Sequence, residues 1–287
     1  MTIAVTLKVN DGVILASDSA STLSATDPQG NVGVANVYDN ANKCFNLFKG
    51  FPIGAVTWGA GSIGVASIET LMKDLRKRFL ESQDAHWRVD PRNYRVEDVA
   101  QLVKEFFYDE LYLPTFGGWA PENQPQLGFF IVGYSSGEGM AEEYRIDIGN
   151  QVCNGPTLIR DRDVTGMACS GMPEAICRLL NGYSPALSLV LEQRLQVEPA
   201  EIQPAMQIIT ESLGVPIIQP PMPIQDAIDL AEFLVDLTIK FTRFLPGAPS
   251  VGGPIEIAAI TKHEGFKWIR RKHYYNAELN PRSEHDH

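Results

Sequence analysis

The chain has 287 residues, 44% hydrophobic and 21% charged, which is enough apolar material for a packed core and excludes a disordered chain. Its 35 acidic and 24 basic residues give a net charge of −11. With no Lys/Arg-rich stripe, that charge argues against nucleic acid as a partner. No apolar run reaches the ~18 residues of a membrane helix, and Met1-Thr2-Ile3-Ala4-Val5 has no basic start of a secretory signal, so no membrane association is expected.

In chain order, Ile3, Val5, Leu7 and Val9 alternate as one face of a strand. Asn10-Asp11-Gly12 is a hairpin turn, because Asp-Gly tolerates positive φ, and Val13-Ile14-Leu15-Ala16 returns as a buried strand. Residues 19–42 are polar, carry Asp27-Pro28 and Gly30, and read as a long loop. Cys44 to Phe48 and Pro52 to Thr57 form a second hairpin around Lys49-Gly50. Ile68, Met72, Leu75 and Phe79 recur at helical spacing, with Glu69 and Lys73 paired on another face. A second helix carries Val99, Val103, Phe106 and Phe107 on one side and ends before Pro114. Leu127 to Tyr134 and Met140 to Ile148 flank Ser135-Ser136-Gly137-Glu138-Gly139 as a third hairpin.

The back half is mostly helical. Met172 to Leu180 is a short helix, 185–212 is apolar but interrupted by Pro199 and Pro204, and Pro216 to Pro223 is a proline-rich linker. Ile224, Ile228, Ala231, Val235 and Thr238 mark a helix to about Phe244, and Ile255 to Thr261 with Gly265 to Ile269 make a last hairpin. This succession predicts two sheets packed together with helices outside. No composition shift marks a boundary, so residues 1–287 read as a single domain with a flexible tail at 280–287. Cys44, Cys153, Cys169 and Cys177 form no C-x-x-C and read as reduced thiols of a cytoplasmic protein. The five His are scattered without zinc-ligand spacing, so no metal is expected.

Two motifs bear on chemistry. Gly59-Ala60-Gly61-Ser62-Ile63-Gly64 is a literal G-x-G-x-x-G, which in an oxidoreductase brings backbone N–H groups to a dinucleotide pyrophosphate. The companion acid about 20 residues on, closing a second parallel strand, is missing, so no cofactor is expected and a tight strand-to-helix turn is the better reading. The second motif is Thr2. Once Met1 is removed, one residue carries a hydroxyl and an α-amine of pKa ~7.7–8.0 that can serve as its base.

The stretch Thr2-Ile3-Ala4-Val5-Thr6-Leu7-Lys8-Val9-Asn10-Asp11-Gly12-Val13-Ile14-Leu15-Ala16-Ser17-Asp18 resembles the N-terminus of proteasome β subunits, the N-terminal-nucleophile (Ntn) hydrolases. Asp18, sixteen positions after Thr2, has the spacing of that family's catalytic aspartate. Asn42-Lys43-Cys44-Phe45-Asn46-Leu47 resembles its Lys-(Ile/Leu)-Phe segment, implying that Lys43 is the catalytic lysine. Ala55-Val56-Thr57-Trp58-Gly59 resembles the strand whose glycine, here Gly59, supplies the oxyanion hole. Leu127 to Gly149 is similar to the central hairpin, Ala168-Cys169-Ser170-Gly171 to the Gly-Ser-Gly whose serine, Ser170, sits beside the nucleophile, and Val251 to Ile257 to the final strand. Read without the family, Ser170 is a helix N-cap ahead of Met172-Pro173-Glu174, and Asp18 and Lys43 are a strand-end salt bridge.

The resemblance implies an αββα four-layer sandwich of two antiparallel sheets. It also implies a threonine-type endopeptidase or amidohydrolase cleaving peptide or unfolded polypeptide through a Thr2 acyl-enzyme, as a homo-oligomer. Within the same fold, the alternative is a non-catalytic scaffold that retains Met1. The chain departs from the pattern in two ways. Pro246-Gly247-Ala248-Pro249-Ser250 lacks the family's acid before the final strand, leaving Asp236 as a substitute. Extra segments near 84–124 and 185–223 bear on ring assembly and ATPase docking, and point to a divergent bacterial proteasome-like branch.

Overall fold

A computed structural model describes residues 2–26 and 32–272. Met1, the link 27–31 and the tail at 280–287 lie outside the described residues. The first half places strands β1 (Ile3–Val9), β2 (Gly12–Ser17), β3 (Ser21–Thr26), β4 (Val32–Tyr38), β5 (Cys44–Asn46) and β6 (Ile53–Gly59), then the two-residue strands β7 (Ser62–Ile63) and β8 (Ala66–Ser67). Helices α1 (Ile68–Glu81), α2 (Val96–Lys104) and α3 (Leu113–Phe116) follow. Next come β9 (Leu127–Gly133), β10 (Glu142–Gly149), β11 (Val152–Leu158) and β12 (Gly166–Gly171). Helices α4 (Glu174–Leu180), α5 (Leu187–Gln193), α6 (Pro199–Leu213) and α7 (Ile224–Arg243) precede β13 (Glu256–Thr261) and β14 (Gly265–Arg270).

The strands form two five-stranded sheets, ordered β12-β1-β2-β13-β14 and β11-β10-β9-β6-β5. Every described strand pair is antiparallel. Three apolar clusters separate four layers. Ile3, Val5 and Leu7 pack with Ile176, Ala231 and Val235, joining the first sheet to α4 and α7. Phe129, Ile131 and Ile146 pack with Leu75, Val103 and Phe107, joining the second sheet to α1 and α2. Ala4, Leu15, Trp58, Phe130, Val132 and Ile260 lie between the sheets. This is the αββα sandwich.

Local chemistry accounts for the elements. Val9 pairs with Gly12 across a turn of Asn10 and Asp11; none of the three has positive φ, and Gly12 instead gives room to the Ile260 carbonyl, which a Cβ would strike. Ser67 caps α1 by accepting the Thr70 N–H at 3.2 Å, and Glu69 and Lys73 pair at 2.6 Å along it. Gly128 faces Trp58 across β9 and β6, where a Cβ would strike the indole.

Several expectations are corrected. Residues 19–42 are not one long loop: β3 and β4 pair as a ribbon, Ser21 opposite Tyr38. The second helix does not stop before Pro114, but passes through a π-helical stretch, Glu105–Tyr112, into α3. Pro114 falls in the first turn of α3, just after the π-helical stretch. Strands β11 and β12 occupy a stretch to which the sequence reading assigns no element.

The polar alternates of β1 are the larger surprise. Thr6 and Lys8 point between the sheets rather than to solvent, and both are fully buried. Thr6 donates to Glu143 Oε1 at 2.6 Å, and Arg160 Nε lies 2.6 Å from Glu143 Oε2. Lys8 Nζ donates to the carbonyls of Arg162 (2.8 Å) and Asp161 (3.4 Å). Burial holds the Lys8 ammonium below its ordinary pKa of 10.5, with Glu143 opposing. The folded state therefore penalises charged Lys8 fully below its folded pKa, and the penalty fades as pH rises towards the unfolded value. Lys8→Met removes that penalty. Its stability relative to the parent is expected to be most favourable near neutral pH and to fall as pH rises to 10.5, whatever its absolute value. Urea unfolding of both proteins across that range measures the trend.

Candidate functional site

The site lies where β1 begins and β2 ends. Asp18 follows β2 and is fully buried. Its Oδ1 accepts the Ile3 N–H at 3.1 Å and Lys43 Nζ at 2.7 Å, and its Oδ2 accepts the N–H groups of Ala20 at 3.1 Å and Gly252 at 3.0 Å. One carboxylate thus ties the first strand, its own loop, the segment before β5 and the segment before β13. Lys43 is buried beside it; burial lowers its pKa, and the charge and hydrogen bond of Asp18 oppose that shift.

A second ion pair backs the first. Buried Glu256, at the start of β13, accepts the N–H groups of Lys43 (3.0 Å) and Cys44 (3.5 Å) through Oε2. Lys272 Nζ lies 3.6 Å from Glu256 Oε1 and donates to Ser19 Oγ at 2.6 Å and to the Ala41 carbonyl at 2.5 Å. The sequence reading missed both residues. Glu256 was legible only as part of the final strand, and Lys272 has no local motif.

Thr2, Lys43 and Gly59 line one cleft with Ser21, Thr57 and Glu69, enclosing about 680 Å³ of empty space that includes open solvent. Gly59 stands at φ +88°, with its missing Cβ directed at the Gln126 carbonyl, so a side chain would not fit. Ser170 is brought to the neighbouring strand rather than into the cleft: it sits in β12 opposite Ala4. It is not a helix N-cap, because α4 begins at Glu174 and is flanked by Pro173. Gly171, at φ +95°, closes that strand against the Thr2 carbonyl, which accepts the Met172 N–H at 2.8 Å.

The oxidoreductase alternative is not supported. Gly59 to Gly64 lead into β7, which pairs back on β8, and α1 starts only at Ile68. The glycines therefore do not open a helix, and β6 has antiparallel neighbours. Nor does Asp236 replace the missing acid, because it pairs with Lys240 at 2.6 Å on the face of α7.

Asp18→Ala removes the acceptor of all four donors, whereas Lys43→Met leaves three backbone N–H groups on the carboxylate. Losing one member of a buried pair costs about 3–5 kcal/mol, so Asp18→Ala is expected to fall in or above that range. Lys43→Met is expected to cost clearly less. Chemical denaturation of the two variants checks the order.

Solved structures share this architecture. An Anbu (Gly-1) mutant from Hyphomicrobium sp. strain MC1 matches at TM-score 0.52 and 17% identity, over 95% of this chain and 86% of that one. Anbu (ancestral beta-subunit) from Yersinia bercovieri aligns at TM-score 0.47 and 13% identity, over 94% of this chain and 88% of that one. The sequence matches no family model, and no curated protein matches it significantly.

The expectation of a threonine protease is corrected: the Hyphomicrobium likeness is to Anbu and shows the fold, not a hydrolase acting through a Thr2 acyl-enzyme. Among the described residues Lys43 Nζ hydrogen-bonds Asp18, and no acid stands in 246–250. The chain shares the αββα sandwich of the Hyphomicrobium Anbu structure.

Proposed function

We propose that this chain is a non-catalytic, proteasome-like scaffold that retains Met1 and assembles with copies of itself. The observation that carries the reading is the commitment of the charged centre to structure. Asp18 spends its acceptors on Ile3, Ala20, Lys43 and Gly252, and Glu256 spends one oxygen on the backbone at Lys43 and Cys44. In this reading Thr2, Asp18, Lys43, Gly59 and Ser170 are the joint at which the two sheets and the chain start are fastened. A retained Met1 keeps the Thr2 nitrogen in a peptide bond, where it cannot act as a base.

Self-assembly is supported by apolar side chains exposed along the inserted segment, Leu189, Leu195, Ile208 and Leu213 among them. The reading takes residues 1–287 as one domain, with the insertions near 84–124 and 185–223 available to an assembly interface. Among the described residues no helix is long and apolar enough to cross a membrane, and the four cysteines are free, which supports a reducing cytoplasm as its place.

Intact-mass measurement of the purified protein is expected to show Met1 on all of it, with no turnover of peptide amides. Thr2→Ala is expected to leave Tm and sedimentation behaviour unchanged within error. Loss of Met1 together with labelling of Thr2 by an epoxyketone would overturn the reading. A monomer at micromolar concentration would remove its assembly half.

A further inference from the structure

A second cleft opens beside the first and shares Asn42 and Glu69 with it. One wall is α1, with Met72 and Arg76; the other is the end of β14, with Trp268 and Arg271. It encloses about 490 Å³ of empty space that includes open solvent. Two guanidinium groups thus meet across one cavity. The Arg271 guanidinium lies 4.9 Å from the centre of the Trp268 ring, which holds it over the indole. Arg76 is half-buried, and burial together with the charge of Arg271 lowers its pKa.

Neither guanidinium has a carboxylate partner among the described residues, as is also true of Arg88, Arg92, Arg194 and Arg243, whereas other arginines have one. Arg78 pairs with Glu110, Arg145 with Asp147, Arg160 with Glu143, Arg162 with Glu142, Arg178 with Glu174 and Arg270 with Glu232. The acids lining the cleft are already engaged, Glu69 by Lys73 and Glu256 by Lys272 and two backbone N–H groups. In a chain of net charge −11, two like charges facing one cavity, Arg76 half-buried and Arg271 exposed, raise the free energy of the empty state. A planar or tetrahedral oxyanion between them removes the repulsion and accepts paired N–H bonds from each fork.

We propose that this cleft is a binding site for a small oxyanion, phosphate or carboxylate, held by Arg76 and Arg271 next to the Thr2 cleft. The proposal is independent of whether Met1 is retained.

Calorimetric titration of the full chain with inorganic phosphate, and separately with succinate, at ionic strength held constant by chloride, tests it. Saturable binding of either probe is expected, and which one binds more tightly tells a tetrahedral from a planar ligand. Charge-assisted bonds of this kind set the scale, so Arg76→Met and Arg271→Met should each weaken binding about tenfold or more. Arg270→Met, whose guanidinium is taken by Glu232, should not weaken it. In chloride alone, the Tm of Arg76→Met should equal or exceed that of the parent, because the repulsion is gone; this also shows that the variant folds. Failure of both anions to saturate the folded parent, or undiminished binding in the Arg76→Met/Arg271→Met double variant, would overturn the site.

Discussion

A carboxylate with no access to water must find donors for both oxygens or give up its charge, and Asp18 finds them on four separate stretches of chain. No single element could supply this. The N–H of Ile3 comes from the strand beside it, that of Ala20 from its own loop, that of Gly252 from the approach to the last strand, and the ammonium of Lys43 from the segment before β5. One side of the cleft follows, because Thr2, Ala20 and Lys43 are carried by these same stretches, while Thr57, Gly59 and Glu69 come from β6 and α1. Glu256 and Lys272 extend the principle one layer back, so that opposite charges alternate through the buried end of the sandwich.

The interior has a second polar seam, between the sheets at Thr6, Lys8, Glu143 and Arg160. Here charge replaces part of an apolar interface. Buried ion pairs seldom add stability over well-packed hydrocarbon, but they are demanding about alignment: a slip of one residue in β1 would carry Thr6 and Lys8 into the apolar layer under α7. The seam thus specifies the register of β1 against the second sheet, while Ile3, Val5 and Leu7 specify it against the helices.

Sequence periodicity revealed whatever was local. The Asp-Gly hairpin, the Ile68–Phe79 stripe, the Val99–Phe107 stripe and the closing hairpin all stand where their spacing put them. The spacing from Thr2 to Asp18 and the Lys43 segment brought together an ion pair that forms as anticipated. What escaped was long-range. Thr6 and Lys8 alternate with apolar residues just as solvent-facing ones do, and only partners some 140 to 150 positions away reveal that they face inward. The ribbon of β3 and β4 mixes Val32, Val34, Val37 and Tyr38 with Ser, Gly and Asn, so the strand-formers are not set in a regular alternation, and the two strands pair only with each other. The activity was over-read for a related reason. A residue set that resembles a catalytic one keeps its spacing whether or not it turns over substrate, so spacing alone does not carry the activity.

Lys272 lies 253 positions from Ser19 and 231 from Ala41, yet it donates to both. Gly252 and Glu256 reach Asp18 and Lys43 over similar separations. During synthesis the early strands β1 and β2 emerge with their acid and lysine but without these partners. The entropy of closing so long a loop must be met before the contacts can reward it. The centre is therefore completed only once the chain through Lys272 is available, and a product that stops short of it would present the centre half-made.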